Sequence, residues 1–286
     1  MRKFAKITLV ASVCAIVAGG MLCIGSFATG NIKNVTVGEG IDVSDDDDNI
    51  SKYDIEKVEV EAFDSFDIDS DVINVEFVED DTFAIEYHGK SKPEYSVSNG
   101  KFTFKSEYKK KRFSIDLHFG ELIGGIRKHN RLIVYTPDAA KFKEGKVEAD
   151  AGNITLNSLN ADKIILSADA GNIDVNESEI GDCNISADAG NIKADESTMK
   201  SLTIETSAGN IKLTDLSTDE ADIKSDAGNI KADIIGSRDE YDLKIENDMG
   251  NIKIDGQKVH DIEEETGKDK KIDIGTDMGN IKINFK

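Results

Sequence analysis

Seven times in this chain the phrase Gly-Asn-Ile, preceded by Ala or Met, returns: at Gly152, Gly171, Gly190, Gly209, Gly228, Gly250 and Gly279. The first four intervals are 19 residues each, followed by 22 and 29. A fixed period of this size marks a stacked repeat, in which each unit covers the apolar face of its neighbour.

The residues around each Gly set the shape of one unit. Five positions earlier stand Val147, Leu166, Ile185, Ile204, Ile223, Ile245 and Ile274, all large and apolar. Three earlier come the small residues Ala149, Ala168, Ala187, Thr206, Ser225, Asn247 and Thr276. This period of two is a strand with one buried face. Beyond Gly-Asn the phase slips by one: Ile follows in every repeat, then a mostly apolar position two residues on, from Leu156 and Val175 to Ile254 and Ile283. The slip means that the chain bends while its apolar side stays inward. Gly and Asn tolerate the backbone that such a bend needs.

Two layouts fit. Gly-Asn is either a hairpin turn in an antiparallel meander or a corner in a parallel β-solenoid. In a hairpin, the apolar position five before the Gly would face the position six after it. That position holds Ser158, Glu177, Glu196 and Asp215. The mismatch favours the solenoid, with coils of about 19 residues. One coil alone buries too little apolar surface to offset its ordering entropy, so stability belongs to the array.

The corners predicted on this basis are Gly152 with Asn153, Gly171 with Asn172, Gly190 with Asn191, Gly209 with Asn210, Gly228 with Asn229, Gly250 with Asn251, and Gly279 with Asn280. Stacked coils would bring these Asn amides into a hydrogen-bonded column. Two residues before each Gly a second column forms, of Asp150, Asp169, Asp188, Asp226, Asp248 and Asp277, with Ser207 in the fourth coil. Stacked carboxylates repel unless they are hydrated or bridged by cations, so Ca²⁺ binding along this ladder is the sharper reading. The plainer one has each Asp closing its own corner by hydrogen bonding. Cys183 occupies a position that is Ile164, Leu202, Leu243 or Ile272 in other coils, and so reads as core.

Ahead of the repeats, residues 1–30 contain a 22-residue apolar run at 7–28 behind Arg2, Lys3 and Lys6. A run of this length suits a retained single-span membrane helix, its basic end cytoplasmic and its body exported. Secretion after cleavage near Ser26-Phe27-Ala28 is the alternative. Residues 31–50 form an acidic linker that ends in Asp45–Asp48. Residues 51–142 read as an irregular β region, the first part or a cap of the solenoid, with strands at 57–63, 65–70, 73–78, 83–88, 95–98, 101–105, 112–117 and 131–135. Asn99-Gly100 marks a turn, Lys109–Arg112 a basic knot, and 119–126 an apolar stretch. Residues 143–286 are the Gly-Asn-Ile solenoid, with 257–271 expected as a solvated excursion. Lys282 and Lys286 are expected to guard its last strand against edge pairing.

The charge excludes some functions. The formal net charge is −21, and 32 of the 35 bases lie beyond residue 30, facing 56 acids. Such a surface repels nucleic acid. His88, His118, His129 and His260 show no metal-ligand spacing, and no nucleophile elbow or phosphate-cradling Gly loop occurs. Past residue 143 the only aromatics are Tyr241 and Phe285, too few for a sugar-stacking groove. Neither a catalytic residue nor a cofactor is expected, and a polysaccharide-active β-helix enzyme is a remote alternative.

The seven Ala/Met-Gly-Asn-Ile units, the strand Leu132-Ile133-Val134-Tyr135-Thr136 ending at Pro137, and the short N-terminal span together resemble the bacterial putative-adhesin family of β-strand-repeat domains of unknown function, akin to head-GIN adhesin-like domains. The resemblance covers about residues 50–286. It implies a right-handed parallel β-helix at the cell envelope, without catalytic residues to carry over. The resulting expectation is a non-catalytic, membrane-anchored extracytoplasmic solenoid that meets a surface, a glycan or a membrane-protein partner. The competing expectation is a regulatory accessory of an envelope-stress or ion-sensing membrane system.

Overall fold

The structure is a computed structural model that describes residues 34–37, 41–44, 53–107, 115–117 and 130–286. The apolar run 7–28 with Cys14 and Cys23, the aspartates 45–48, the basic knot, the stretch 119–126, His118 and His129 lie outside the described residues. No described helix is long and apolar enough to cross a membrane.

Each repeat forms a long strand before Gly-Asn and a short one after it. In the centre these are Asn160–Ala170 and Ile173–Asn176, then Glu179–Ala189 and Ile192–Asp195, then Thr198–Ala208 and Ile211–Leu216. Long strands pair parallel with long strands in strict register, Leu166 beside Ile185 beside Ile204 beside Ile223. Short strands do the same, Ile173 beside Ile192 beside Ile211 beside Ile230. The Gly-Asn pair is therefore a corner between two sheets, and the period-two pattern places one apolar column per inward position between them. Those columns form a single core running the length of the array, in which Leu166, Ile185, Ile204 and Cys183 are all buried.

Close stacking explains why Gly recurs at the corner. A Cβ on Gly171 would lie 1.9 Å from the carbonyl oxygen of Gly152, and one on Gly209 would lie 1.8 Å from that of Gly190. The second corner, where the chain returns to the long-strand sheet, uses side chains instead. Ser158, Glu177, Glu196 and Asp215 take positive φ values there, between 48° and 53°. The buried Ser178 secures that corner: its hydroxyl accepts from the Leu159 N–H at 3.1 Å and donates to the Asn176 carbonyl at 2.8 Å.

At both ends the coils are stacked out of chain order. Ser65–Ser70 and Asn74–Glu79 lie directly on the first Gly-Asn-Ile coil, Glu144–Ala151 and Ile154–Asn157. Lys101–Ser106 and Arg131–Thr136 form the coil beyond them. Ala84–Gly89 and Glu94–Ser98 then pair antiparallel on its outer side, and Tyr53–Glu59 adds an edge strand. Asn99 and Gly100 turn the hairpin between Glu94–Ser98 and Lys101–Ser106 with φ of 52° and 75°, as a type I′ turn requires. At the other end, the coil Lys270–Met278 with Ile281–Phe285 inserts between Glu220–Ala227 with Ile230–Ile234 and Tyr241–Met249 with Ile252–Ile254. The two sheets end in antiparallel strands, Gln257–Val259 and Ile262–Glu264. Asn34–Val37, Ile41–Ser44 and Ile115–Leu117 pair in a separate antiparallel sheet.

Three expectations need correction. Residues 257–271 are an edge cap as well as a loop, because Val259 and Ile262 give both sheets a short antiparallel finish. The strand holding Lys282 is interior, with neighbours on both sides, so it guards no edge; Lys286 instead pairs with Asp215 at 2.6 Å. The first strand of the N-terminal region runs from Tyr53 to Glu59 rather than 57–63, since its partner begins at Ala84 and the Glu59–Ala84 pair ends the ladder.

Candidate functional site

Among the described residues no cleft gathers the polar side chains; the stacking sorts them into straight outward columns. The first runs along the Gly-Asn corner in the order Asn74, Asn153, Asn172, Asn191, Asn210, Asn229, Asn280, Asn251. From Asn172 on, each backbone N–H and each amide Nδ2 donates to the Oδ1 of the Asn in the neighbouring coil. The distances are 2.9 Å and 3.2 Å at Asn172, 3.0 Å and 3.0 Å at Asn280, and 3.1 Å and 3.2 Å at Asn251. Asn74, which belongs to no Gly-Asn-Ile unit, extends the ladder by accepting from the Asn153 N–H at 2.8 Å. Each amide Oδ1 from Asn74 to Asn280 is thus committed to holding two coils together, while from Asn172 on each Nδ2 gives one of its two N–H groups to the ladder.

The second column is the aspartate line on the long-strand side of the corner. The flanking pairs Ala149–Ala168 and Ala151–Ala170 set Asp150 level with Asp169, and the same register carries the line through Asp188, Ser207, Asp226, Asp277 and Asp248. Asp169, Asp188 and Asp248 are exposed. Carboxylates one strand apart, about 4.8 Å, form a row and do not converge. Among the described residues no group of three or more His, Cys, Asp or Glu side chains is placed to hold a metal ion.

The third column lies on the outer face of the short-strand sheet. Lys193 pairs with Lys212, Lys212 with Lys231, Lys231 with Lys282, Lys282 with Lys253, and Lys253 with Lys258 of the cap strand. Six lysines therefore stand in file on an acidic protein. Lys193 and Lys231 reach Asp195 and Asp233 on their own strands, at 2.6 Å and 3.0 Å. Lys212, Lys282, Lys253 and Lys258 are exposed. Toward the other end the same column changes sign, through Asp174 and Thr155 to Glu76. Burial pushes the Asp174 carboxyl above its ordinary value, with Lys193 opposing and Asp195 adding to the shift. Sequence reasoning missed this file. Its signal was a Lys three residues after the Gly in each of the last five repeats; only the interleaved register brings Lys282 between Lys231 and Lys253 and adds Lys258.

The densest ionisable cluster joins the N-terminal cap to its coil. Glu86 receives Arg131 Nη2, the Tyr135 hydroxyl at 3.0 Å and His88 Nε2 at 2.9 Å, while His88 Nδ1 meets Asp54 at 2.8 Å. Burial pulls the His88 imidazolium down, but its bonds to Asp54 and Glu86 outweigh that and raise its pKa. Burial likewise acts to raise Glu86, and Arg131, His88 and Tyr135 overcome it. Burial and Glu86 push the Tyr135 phenol up to about 12. Each member is spent on another, which suits a clasp between strands. His260 is exposed at the opposite end. Cys183 is buried, with its thiol pushed up to about 12, so it is core and unreactive. A shallow open depression bounded by Gly236, Ser237, Arg238, Asp255, Phe285 and Lys286 holds no paired acid and base.

The family model Toastrack DUF4097 matches residues 63–266. Among solved structures, a putative adhesin from Bacteroides fragilis NCTC 9343 aligns with a TM-score of 0.50 at 14% identity, covering 82% of this chain and 98% of that one. A putative cell adhesion protein from Clostridium sporogenes ATCC 15579 aligns with a TM-score of 0.36 at 12% identity, covering 81% and 98%. No curated protein matches the chain.

Proposed function

Since the chain belongs to the Toastrack DUF4097 family, we propose that it is a non-catalytic, membrane-anchored solenoid that presents its outer columns to a surface outside the cell, in the manner of an adhesin. The observation that carries this reading is the unbroken register of the columns. The corner amides spend their acceptors on one another, and the charged residues stand in lines, an arrangement suited to extended contact and unsuited to converging on a reacting atom. The apolar run 7–28 supplies the anchor, and its basic flank orients the body outward. The fold shared with the Bacteroides protein, itself described as a putative adhesin, is consistent with this role.

The test is to express the full chain in a bacterial host. The expected result is a protein that stays in the membrane fraction after alkaline wash, is cleaved by added protease in intact cells, and increases cell attachment to coated beads. Recovery in the soluble cytoplasm, or attachment equal to that of cells lacking the protein, would overturn the reading.

A further inference from the structure

The lysine file on the short-strand sheet is the feature that the scaffold does not account for. Like charges on neighbouring strands repel even in water, and of the six only Lys193 and Lys231 pair with a carboxylate on their own strand; Asp215, on the strand of Lys212, is held by Lys286. The chain carries 56 acids, yet none interrupts the file between Lys193 and Lys258. We infer that these six lysines bind a linear anionic glycan, laid across the strands with its charged groups facing successive coils.

The geometry selects this partner. The file spans five inter-strand steps, about 24 Å in all, and is one residue wide. Glu76 and Asp174 continue its line, and Asp195 stands beside it. A flat sheet of anionic headgroups would meet those carboxylates along with the lysines, whereas a single chain touches only the cationic part. On one side runs the Asn ladder, and at Asn191, Asn210, Asn229, Asn280 and Asn251 the second amide N–H can donate to sugar hydroxyls. With Tyr241 buried and no aromatic residue on these strands except Phe285, recognition rests on charge and hydrogen bonds, not on stacking. That excludes neutral sugars and disfavours single-stranded nucleic acid, which is held largely by base stacking. The inference rests on the adhesive reading and names its ligand class.

Binding of the intact protein in detergent to polygalacturonate and to poly(glycerol phosphate) tests it, with neutral dextran alongside. At least one polyanion is expected to bind, dextran to fail, and affinity to fall steeply with salt, as for any contact that releases counterions. The tighter of the two identifies carboxylate or phosphate as the charge carrier. Lys212→Gln with Lys282→Gln is expected to weaken binding at least tenfold and reduce the salt slope. Lys163→Gln with Lys271→Gln, the same charge change on the long-strand face, is expected to leave it unaltered; thermal melts confirm that both variants fold. Failure of both polyanions, equal binding of dextran, or equal loss in both variants would overturn the inference. Bead attachment by cells carrying Lys212→Gln with Lys282→Gln separates the two proposals. Attachment that persists without glycan binding removes the lysine file as the contact and leaves the adhesive reading standing.

Discussion

The middle of the solenoid and its two ends are built from the same kind of coil but assembled by different rules. In the middle each coil lies on the one just before it, and stacked partners such as Asn172 and Asn191 are 19 residues apart. At the ends the partners are distant: Asn74 and Asn153 are separated by 79 residues, and Asn229 and Asn280 by 51. The cores differ too. Central coils bury Ile, Leu, Val and Ala, whereas the N-terminal coils interlock Phe63 with Phe102 at 5.1 Å and Phe66 with Phe77 at 4.6 Å. A repeating sequence thus specifies the shape of a coil without specifying its neighbour. Order at the ends comes from residues that occur once.

The corner glycines offer the harshest way to break the comparison. Gly209→Ala drives a Cβ into the backbone of the coil beneath, where nothing flexible can yield. A cost of about 4 kcal/mol or more is expected, read from urea unfolding. Gly256, at the cap hairpin, has φ of +79° and open space around it, so Gly256→Ala should cost only about 1–2 kcal/mol. Equal costs would mean that the middle is no more tightly stacked than the end.

Removing residues 270–286 probes the interleaving at the C-terminal end. Tyr241–Met249 and Ile252–Ile254 would lose the coil that seats them, and amide protection across 241–264 is expected to vanish while 144–216 stays protected. Protection that persists would show that residues 241–254 can settle directly on 220–234, making the interleaved order dispensable.

The smallest expected effect is a response to pH at the N-terminal cap. His88 has its pKa raised in the folded state by Asp54 and Glu86 against the opposing pull of burial. The folded protein therefore holds this proton more tightly than the unfolded chain. Its contribution is fully present below pH about 6.5 and is lost as pH rises through the folded-state value. Urea midpoints of the N-terminal transition should fall over that window, His88→Gln should flatten the trend, and the central coils, which contain no histidine, should not respond.

The sequence was most legible where it repeats. The phase slip after each Gly-Asn left corner and hairpin both open, and the residue six after each Gly favoured the corner, because polar Glu177 and Glu196 cannot face Leu166 and Ile185 across a ladder; they sit instead at the second corner with positive φ. Chain order at the ends was illegible for the same reason that the coil was legible. Ile230 can accept Ile252 or Ile281 equally well, and local pattern does not choose. The cap strands were hidden because Gln257–Val259 and Ile262–Glu264 carry few apolar residues amid charge. Among the candidate residues, the Asn and Asp columns followed from the period alone. The lysine file needed the register at both ends of the final insertion, which only the folded topology supplies.

Because both termini of the stack are closed by segments used once, this architecture can change length only from within. Another nineteen-residue unit placed between Gly190 and Gly209 would meet identical surfaces above and below and move the two ends apart by one inter-strand step, about 4.8 Å. One appended after the final coil would find that position already enclosed on both sides. Reach is therefore an adjustable quantity here, set by how many interchangeable units separate two fixed fittings.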